Sequence, residues 1–319
     1  MFDAELEEMK TRIDMRAYAV AQGYTLDRKE SWRGSSVMRH PRGDKIIIKR
    51  DSDDHYVFFS VHTEASGSII DLVQALQRLS IGAVRKELRP WIGMSPVPVP
   101  TFAPLVKTAK DRIRVEAAYA RMEIAVTHAY LEGERRLPAE LLASERIAGR
   151  VRRDARGNAV FPHDDADGLC GYEIKNTGFT GFASGGTKGL WLSHEKSDDR
   201  RLVLAESAID ALSHAALFPD GRARYASIGG QPTPTQTELI RAAAARMPSD
   251  SEIVAAMDAD SAGAKLSEVV RRAVELTGRT DLRFCNHEPV GFKDWNDQLR
   301  AEQRALSFPP ARVSSLDVS

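Results

Sequence analysis

The sequence predicts an α/β protein whose last third is a mainly parallel sheet, preceded by two smaller α+β segments. Three observations carry this. From residue 201 onward four short apolar runs, "RLVLAE", "RYASIGG", "EIVAAMD" and "DLRFCN", alternate with amphipathic helical stretches, the pattern of strands joined by crossover helices. "SPVPVPTFAP" places four prolines in ten residues, and proline fixes φ and donates no backbone hydrogen bond, so the chain is extended there. Between the two lie the glycine-punctuated runs "AVFPHDD", "CGYEIKN" and "GFASGGTKGLWLS", the texture of a small antiparallel sheet with tight turns.

Taken in order, the first segment covers 1–93 and opens with a helix around "IDMRAYAVAQGY", followed by strands at "DKIIIKRD" and "HYVFFSVH". In "SIIDLVQALQRL", Ile69, Leu72, Val73, Leu76 and Leu79 recur at helical spacing and predict an amphipathic helix. Residues 94–106 form the proline-rich linker, and the middle segment, 107–198, starts with a helical pattern over 109–132 and a shorter one at "PAELLASERIAG". The last domain, 199–306, holds the strand–helix alternation, and 307–319 is a frayed tail.

Composition excludes several classes. With 42% hydrophobic and 28% charged residues the chain is too apolar for general disorder, and 319 residues allow two or three cores. Lys+Arg and Asp+Glu balance at 45 each, so any nucleic-acid surface has to be a local patch. Cys170 and Cys285 form no CxxC pair, which argues against a disulfide framework and a cysteine-rich zinc site. "MFDAELEEMK" has no apolar core of a signal, and no run approaches 18 apolar residues. A cytoplasmic protein without membrane contact is expected.

Acidic residues fall where strands of the last domain end. Glu206 closes "RLVLAE", Asp258 and Asp260 follow "EIVAAM", and Asp294 lies beyond the fourth strand, in "FKDWND". Asp210 stands one helical turn past Glu206 and shares its face. In a parallel sheet these ends converge on one edge, where function collects. Two carboxylates about 5 Å apart repel by roughly 3 kcal/mol at an effective dielectric near 20, and a hard divalent cation turns that repulsion into attraction. Asp260 ahead of "SAGAKL" also suits a helix N-cap. Gly229 and Gly230 in "SIGGQ" either let the backbone approach a phosphate or simply form a turn.

The ordered set of Glu206, "SIGGQ" and Asp258-Ala-Asp260 with "AG" two residues on resembles the TOPRIM domain of bacterial primases, topoisomerases and certain nucleases. The resemblance implies a Rossmann-like fold and Mg²⁺ or Mn²⁺ held by Glu206, Asp258 and Asp260 for phosphodiester chemistry. "ESAIDAL", with Asp210, and "FKDWND", with Asp294, are similar to the primase form and add those two acids as metal ligands; Asn296 stands where primases carry a further acid. The segment before a primase TOPRIM domain holds single-stranded template. By that resemblance Lys175 and Lys188, set among Tyr172, Phe179, Phe182 and Trp191, contact phosphate; the same aromatics, with Phe161, would equally fill a small core, and "RVRR" (150–153) reads as a solvated surface.

The first segment resembles the zinc ribbon at the front of primases, through "HYVFFSVHTEASGSIIDLVQ". Phe58 and Val61 stand where the second cysteine pair would be, and Ser36 and His40 near the first. Four N/S ligands are not supplied, so the expectation is a ribbon without structural zinc, stapled by apolar packing. His40, His55 and His62 match no standard metal spacing.

These readings imply a primase-like nucleotidyltransferase of a plasmid, mobile element or phage. It would act on single-stranded DNA with nucleoside triphosphates, in replication or transfer. The alternatives are a metal-dependent nuclease using the same acids, with Glu206 as general acid or base, and a non-catalytic DNA-binding accessory protein. No "GxxxxGK[ST]" P-loop occurs, so unwinding would fall to a partner, a helicase or relaxase being the candidates.

Overall fold

The computed structural model describes residues 3–307 apart from 52, 53, 64, 107, 108 and 231. The expected tail from 308 onward and Gln231 of the Gly-Gly turn therefore lie outside the described residues. The chain forms two compact units, Met1–Ala109 and Lys110–Ser319. No described helix is long and apolar enough to cross a membrane.

The first unit opens with α1 (Ala4–Arg12) and α2 (Met15–Ala21), started by Asp3 and Asp14, whose carboxylates accept first-turn N–H groups. Five strands follow as an antiparallel meander in chain order: β1 (Thr25–Trp32), β2 (Ser35–Arg39), β3 (Lys45–Arg50), β4 (Tyr56–Ser60) and β5 (Ser66–Ser68). Apolar alternation predicts β3 and β4. It does not predict β1, because "TLDRKESW" is an edge strand half in solvent and needs no apolar face. A capping box of Ser68 and Asp71 starts α3 (Ile69–Gln77), and α4 (Ile81–Leu88) follows. Met38, Ile46, Ile48 and Phe58 pack against Ile69, Leu72, Val84 and Trp91. The proline-rich segment lies on this core through Val99, Phe102 and Leu105, and Arg16 Nη1 donates to the Ala103 carbonyl at 2.7 Å. At the positions where the ribbon resemblance places cysteines, Phe58 and Ser36 are buried, His40 is half-buried and Val61 is exposed.

The second unit begins with α5 (Arg112–Ala120), capped by Asp111. The helical pattern over 109–132 stops short here because β6 (Glu123–Ile124) is captured by a sheet edge. A π-type turn at Tyr130–Glu134 and α6 (Ala139–Ala143) lead to β7 (Arg152–Arg153), which pairs Arg153 with Glu123. With β8 (Ala159–Asp165), β9 (Gly168–Asn176) and β10 (Phe179–Phe182) these strands form an antiparallel sheet, order β10-β9-β8-β7-β6. Then β11 (Trp191–Leu192) enters a second sheet, with β12 (Arg201–Ala205), α7 (Ala208–Leu217), β13 (Ala223–Ser227), α8 (Pro234–Ala245), β14 (Glu252–Ala256), α9 (Ser261–Glu275), β15 (Arg283–Asn286) and α10 (Trp295–Ser307) in succession.

Its order is β11-β13-β12-β14-β15, parallel throughout except for β11 on the edge. Central β12 is buried on both faces, which is why "RLVLA" reads as a continuous apolar run. Leu202 and Leu204 meet Ile240 and Val270 of α8 and α9. Val203 and Ala205 meet Leu212, Trp295, Phe161 and Trp191, so the two sheets of this unit share one core.

Phe58 is buried at a position where the resemblance sets a metal ligand. Phe58→Ala is expected to cost about 3–5 kcal/mol, read from urea unfolding of the first unit's transition. A loss below 1 kcal/mol would mean that this core does not depend on it.

Candidate functional site

Parallel register brings the strand ends together. Ala205 pairs with Ser227 on one side and Ala256 on the other, so Glu206, Ile228 and Met257 leave the sheet at one edge. The Glu206 carbonyl then accepts from Gly229 N–H at 2.8 Å and Gly230 N–H at 3.1 Å. Both glycines have positive φ, and both N–H groups are occupied by this turn. A Cβ at Gly229 would lie 2.8 Å from His163 Cε1, whereas Gly230 faces open space. Gly230 is thus the position where a ligand could come close to the backbone.

The acids reach this edge from three directions. Ser207 caps α7, and its hydroxyl donates to Asp210 Oδ2 at 2.5 Å. Asp210 Oδ1 accepts from Asn296 N–H at 3.3 Å, which ties α7 to the start of α10. Ala259 N–H donates to the Lys293 carbonyl at 2.8 Å, which brings Asp294 to the Asp258–Asp260 segment. Asp260 Oδ1 caps α9, accepting from Ala262 and Gly263 N–H at 2.9 Å each, and its Oδ2 lies 3.7 Å from Lys293 Nζ. Asp294 Oδ1 caps α10 by accepting from Asp297 N–H at 2.7 Å. Asp258 does neither: its Oδ1 is buried and has no hydrogen-bond partner.

The electrostatics follow. Burial, then Asp210, Glu206, Asp294 and Asp260, push the Asp258 carboxyl up to about 8. Burial and Asp294 raise Asp210 to about 6. Each of the five predicted acids therefore acts on the same small volume. Among the described residues, no three His, Cys, Asp or Glu side chains stand close enough to grip a metal ion as they are now arranged. The donor set nevertheless suits a hard divalent cation: it offers carboxylate oxygens, one of them buried and unpartnered, with a surplus of negative charge.

Asn296, at the position where primases carry an acid, is turned away from this edge. Its Nδ2 donates to the Arg135 carbonyl at 2.7 Å and to Ser213 Oγ at 3.0 Å. Neighbouring Asp297 pairs with Arg300 on the surface at 3.2 Å.

Both predicted lysines are engaged. Lys188 Nζ donates to the Gly229 carbonyl at 2.7 Å, and Lys175 Nζ lies 3.5 Å from Glu173 Oε1. Phe161, Trp191 and Tyr172 are core, while Phe179 is 49% exposed on β10. The three arginines of "RVRR" hold protein groups: Arg150 pairs with Asp164 at 2.5 Å, Arg152 stacks on Tyr119, and Arg153 pairs with Glu123. Sequence reasoning missed Glu173 and His163, both buried beside Gly229. They are marked in the structure and not in the sequence, by the register slip at His163/Asp164 on β8, since bulges re-aim side chains next to sites.

A Toprim-like family model matches residues 203–299. The C-terminal domain is Toprim-like. A second family model, described as a protein of unknown function (DUF3991), matches residues 129–199. No curated protein matches the chain. Among solved structures, the chain is similar to the primase fragment of the bacteriophage T7 primase-helicase protein, at 15% identity over 79% of this chain and 89% of that one, with a TM-score of 0.40. It is also similar to a DNA primase domain from Pseudomonas aeruginosa, at 18% identity over 50% of this chain, with a TM-score of 0.33; the match spans 54% of that domain's length.

Two consequences of the Toprim-like edge can be measured. In metal-free protein Asp258, at about 8, holds a proton that the unfolded chain releases near pH 4. Its stabilising contribution is complete below pH 4 and lost as pH rises through 8. Between pH 6.5 and 8.5 calorimetry in chelator should show a loss on the order of 1–2 kcal/mol, flattened in Asp258→Asn; an identical slope in both proteins would count against the crowding. At Gly263 a Cβ would sit 2.0 Å from the Asp258 carbonyl oxygen. Gly263→Ala, ordinarily stabilising in a helix, should instead destabilise by about 1–3 kcal/mol in denaturant titration.

Proposed function

We propose that the chain is a primase-like nucleotidyltransferase that joins nucleotides on a single-stranded DNA template with Mg²⁺ or Mn²⁺. The observation that carries this reading is Asp258, half-buried, with one oxygen unpartnered and four other carboxylates raising its proton affinity. Such a group is costly alone and favourable around a cation. Glu206, Asp258 and Asp260 would hold the ion, with Asp210 and Asp294 as further donors. When bound, it would neutralise the triphosphate and assist in-line attack by a 3′-hydroxyl.

The chain's own groups supply the rest. Lys175 and Lys188 offer positive charge for phosphate beside the carboxylates, where like charge would otherwise repel a nucleic acid. Phe179, exposed on β10, is a surface on which an unpaired base can stack. The turn at Gly229 fixes the Glu206 backbone, and the caps at Asp260 and Asp294 fix two more acids before any ligand arrives. Asp210, one helical turn after Glu206 in "ESAIDAL", supports the primase reading over the nuclease. A plasmid, mobile-element or phage setting, with a helicase or relaxase as partner, belongs to the same proposal.

The test incubates the full chain with a single-stranded template, labelled nucleoside triphosphates and Mg²⁺ or Mn²⁺. Oligonucleotide synthesis is expected, abolished by chelator and reduced on the order of 100-fold or more in Asp258→Asn. Shortened template would establish the nuclease instead. Binding that survives the substitution with neither product would establish the accessory role.

A further inference from the structure

A second charged group, buried on the inner face of the antiparallel sheet, lies beside the acidic edge. Glu173 and Lys175 alternate on one face of β9, and cross-strand pairing of Phe161 with Glu173 and of His163 with Gly171 puts all four side-chain positions on that face. The face is turned inward: Phe161 belongs to the core shared with the parallel sheet. Glu173 is 6% exposed in its side chain and His163 is fully buried.

His163 Nδ1 lies 2.7 Å from the Gly189 carbonyl, so it carries a hydrogen. Its Nε2 lies 3.8 Å from Glu173 Oε2, an ion-pair distance longer than a hydrogen bond, and both atoms are otherwise unpartnered. Glu173 Oε1 lies 3.5 Å from Lys175 Nζ. Gly229 is seated directly on the pair, since a Cβ there would approach Glu173 Cδ to 3.1 Å. Burial alone would raise Glu173, but His163, Lys175 and Lys188 outweigh it and hold the carboxyl at about 2. Lys175 is also near enough to Asp210 to lower that acid's proton affinity. Apolar side chains of like volume often stabilise a fold as well as a buried ion pair does, so stability alone does not account for this group.

We propose that Glu173 is a positioning residue: it holds Lys175 beside Asp210 and, with His163, sets the Gly229 turn over Glu206, so that phosphate meets the cation in one geometry. This rests on the phosphodiester reading of the acidic edge.

The test is a double-mutant cycle in the full chain with Glu173→Gln, Lys175→Ala and the pair, each checked for a cooperative melt. The probe is a fluorescent oligothymidylate followed by anisotropy, together with steady-state oligonucleotide synthesis. In Glu173→Gln the freed lysine should bind the oligonucleotide about two- to threefold more tightly, while kcat falls about tenfold or more because the charge is no longer aimed. The tightening should vanish in the Lys175→Ala background. Tightening that persists there, or a kcat within twofold of the wild type, overturns the proposal. Should Glu173→Gln fail to fold, Glu173→Asp keeps the charge but withdraws it by one methylene, and the same non-additivity is expected. A wild type that binds the oligonucleotide without extending it overturns the primase reading and leaves the binding cycle to decide Glu173. A wild type that does neither overturns both.

Discussion

Like charges crowded at one sheet edge are the constraint on which the second unit is arranged. A parallel pair of strands delivers Glu206 and Asp258 to the same edge whatever their side chains prefer, because register fixes the backbone first. Mutual repulsion then has to be absorbed. Caps absorb part of it: Asp260 and Asp294 each give one oxygen to helix N–H groups, where the helix dipole favours negative charge. Ser207 and the Asn296 N–H absorb part at Asp210. Asp258 receives none of these, and burial together with the remaining repulsion raises its proton affinity. The distribution is uneven in a useful way, since the oxygens left over are the ones a cation would meet.

The antiparallel sheet answers the same constraint from the other side. It is covered on one face by α5, through Val115 and Tyr119 against Val160 and Tyr172, and on the other by the core around Phe161. Glu173 therefore has almost no route to open water and is compensated from within by Lys175, which stays partly exposed, with His163 alongside. Positive charge is thereby stored next to the carboxylates. The Gly229 turn is the contact between the two groups, with Glu206 on its N–H side and Lys188 on its carbonyl.

Much of this edge is legible in the sequence, because it depends on order along the chain. Strand-ending acids in a β/α alternation declare both their secondary structure and their common edge, so Glu206, Asp258, Asp260 and Asp294 are readable in advance. Glu173 and His163 are not. In "GYEIKN" the alternation places Tyr172 and Ile174 on an apolar face and Glu173 and Lys175 on the other, which for a one-sided sheet means solvent. Only the second layer, which packs over that face, reverses the meaning, and no local pattern announces it. The same limit hides β1, where an edge strand carries charges on both faces, and shortens the helix expected over 109–132, where pairing of β6 with β7 overrides helical spacing. Leu76 shows it at small scale: it has the right spacing on α3 but lies beyond the cover of the first unit's core and is exposed.

Within the acidic set, Asn296 is where the chain departs from the primase pattern, and its surroundings explain what the exchange accomplishes. The side-chain amide donates to a carbonyl and a hydroxyl inside the protein, 2.7 Å and 3.0 Å away, and is almost fully buried. A carboxylate in that position would face the Arg135 carbonyl oxygen, a repulsive contact that water could not relieve. The amide thus fastens α10 to the turn at Tyr130–Glu134 and to α7, while its backbone N–H holds Asp210. A position that could have added another negative charge to an already crowded edge instead fixes the direction of one that is there. The acidic set is smaller than the primase pattern by one acid, and its anchoring runs, through the Arg135 carbonyl, into the segment that carries Lys175 and Lys188 rather than through the Toprim-like domain alone.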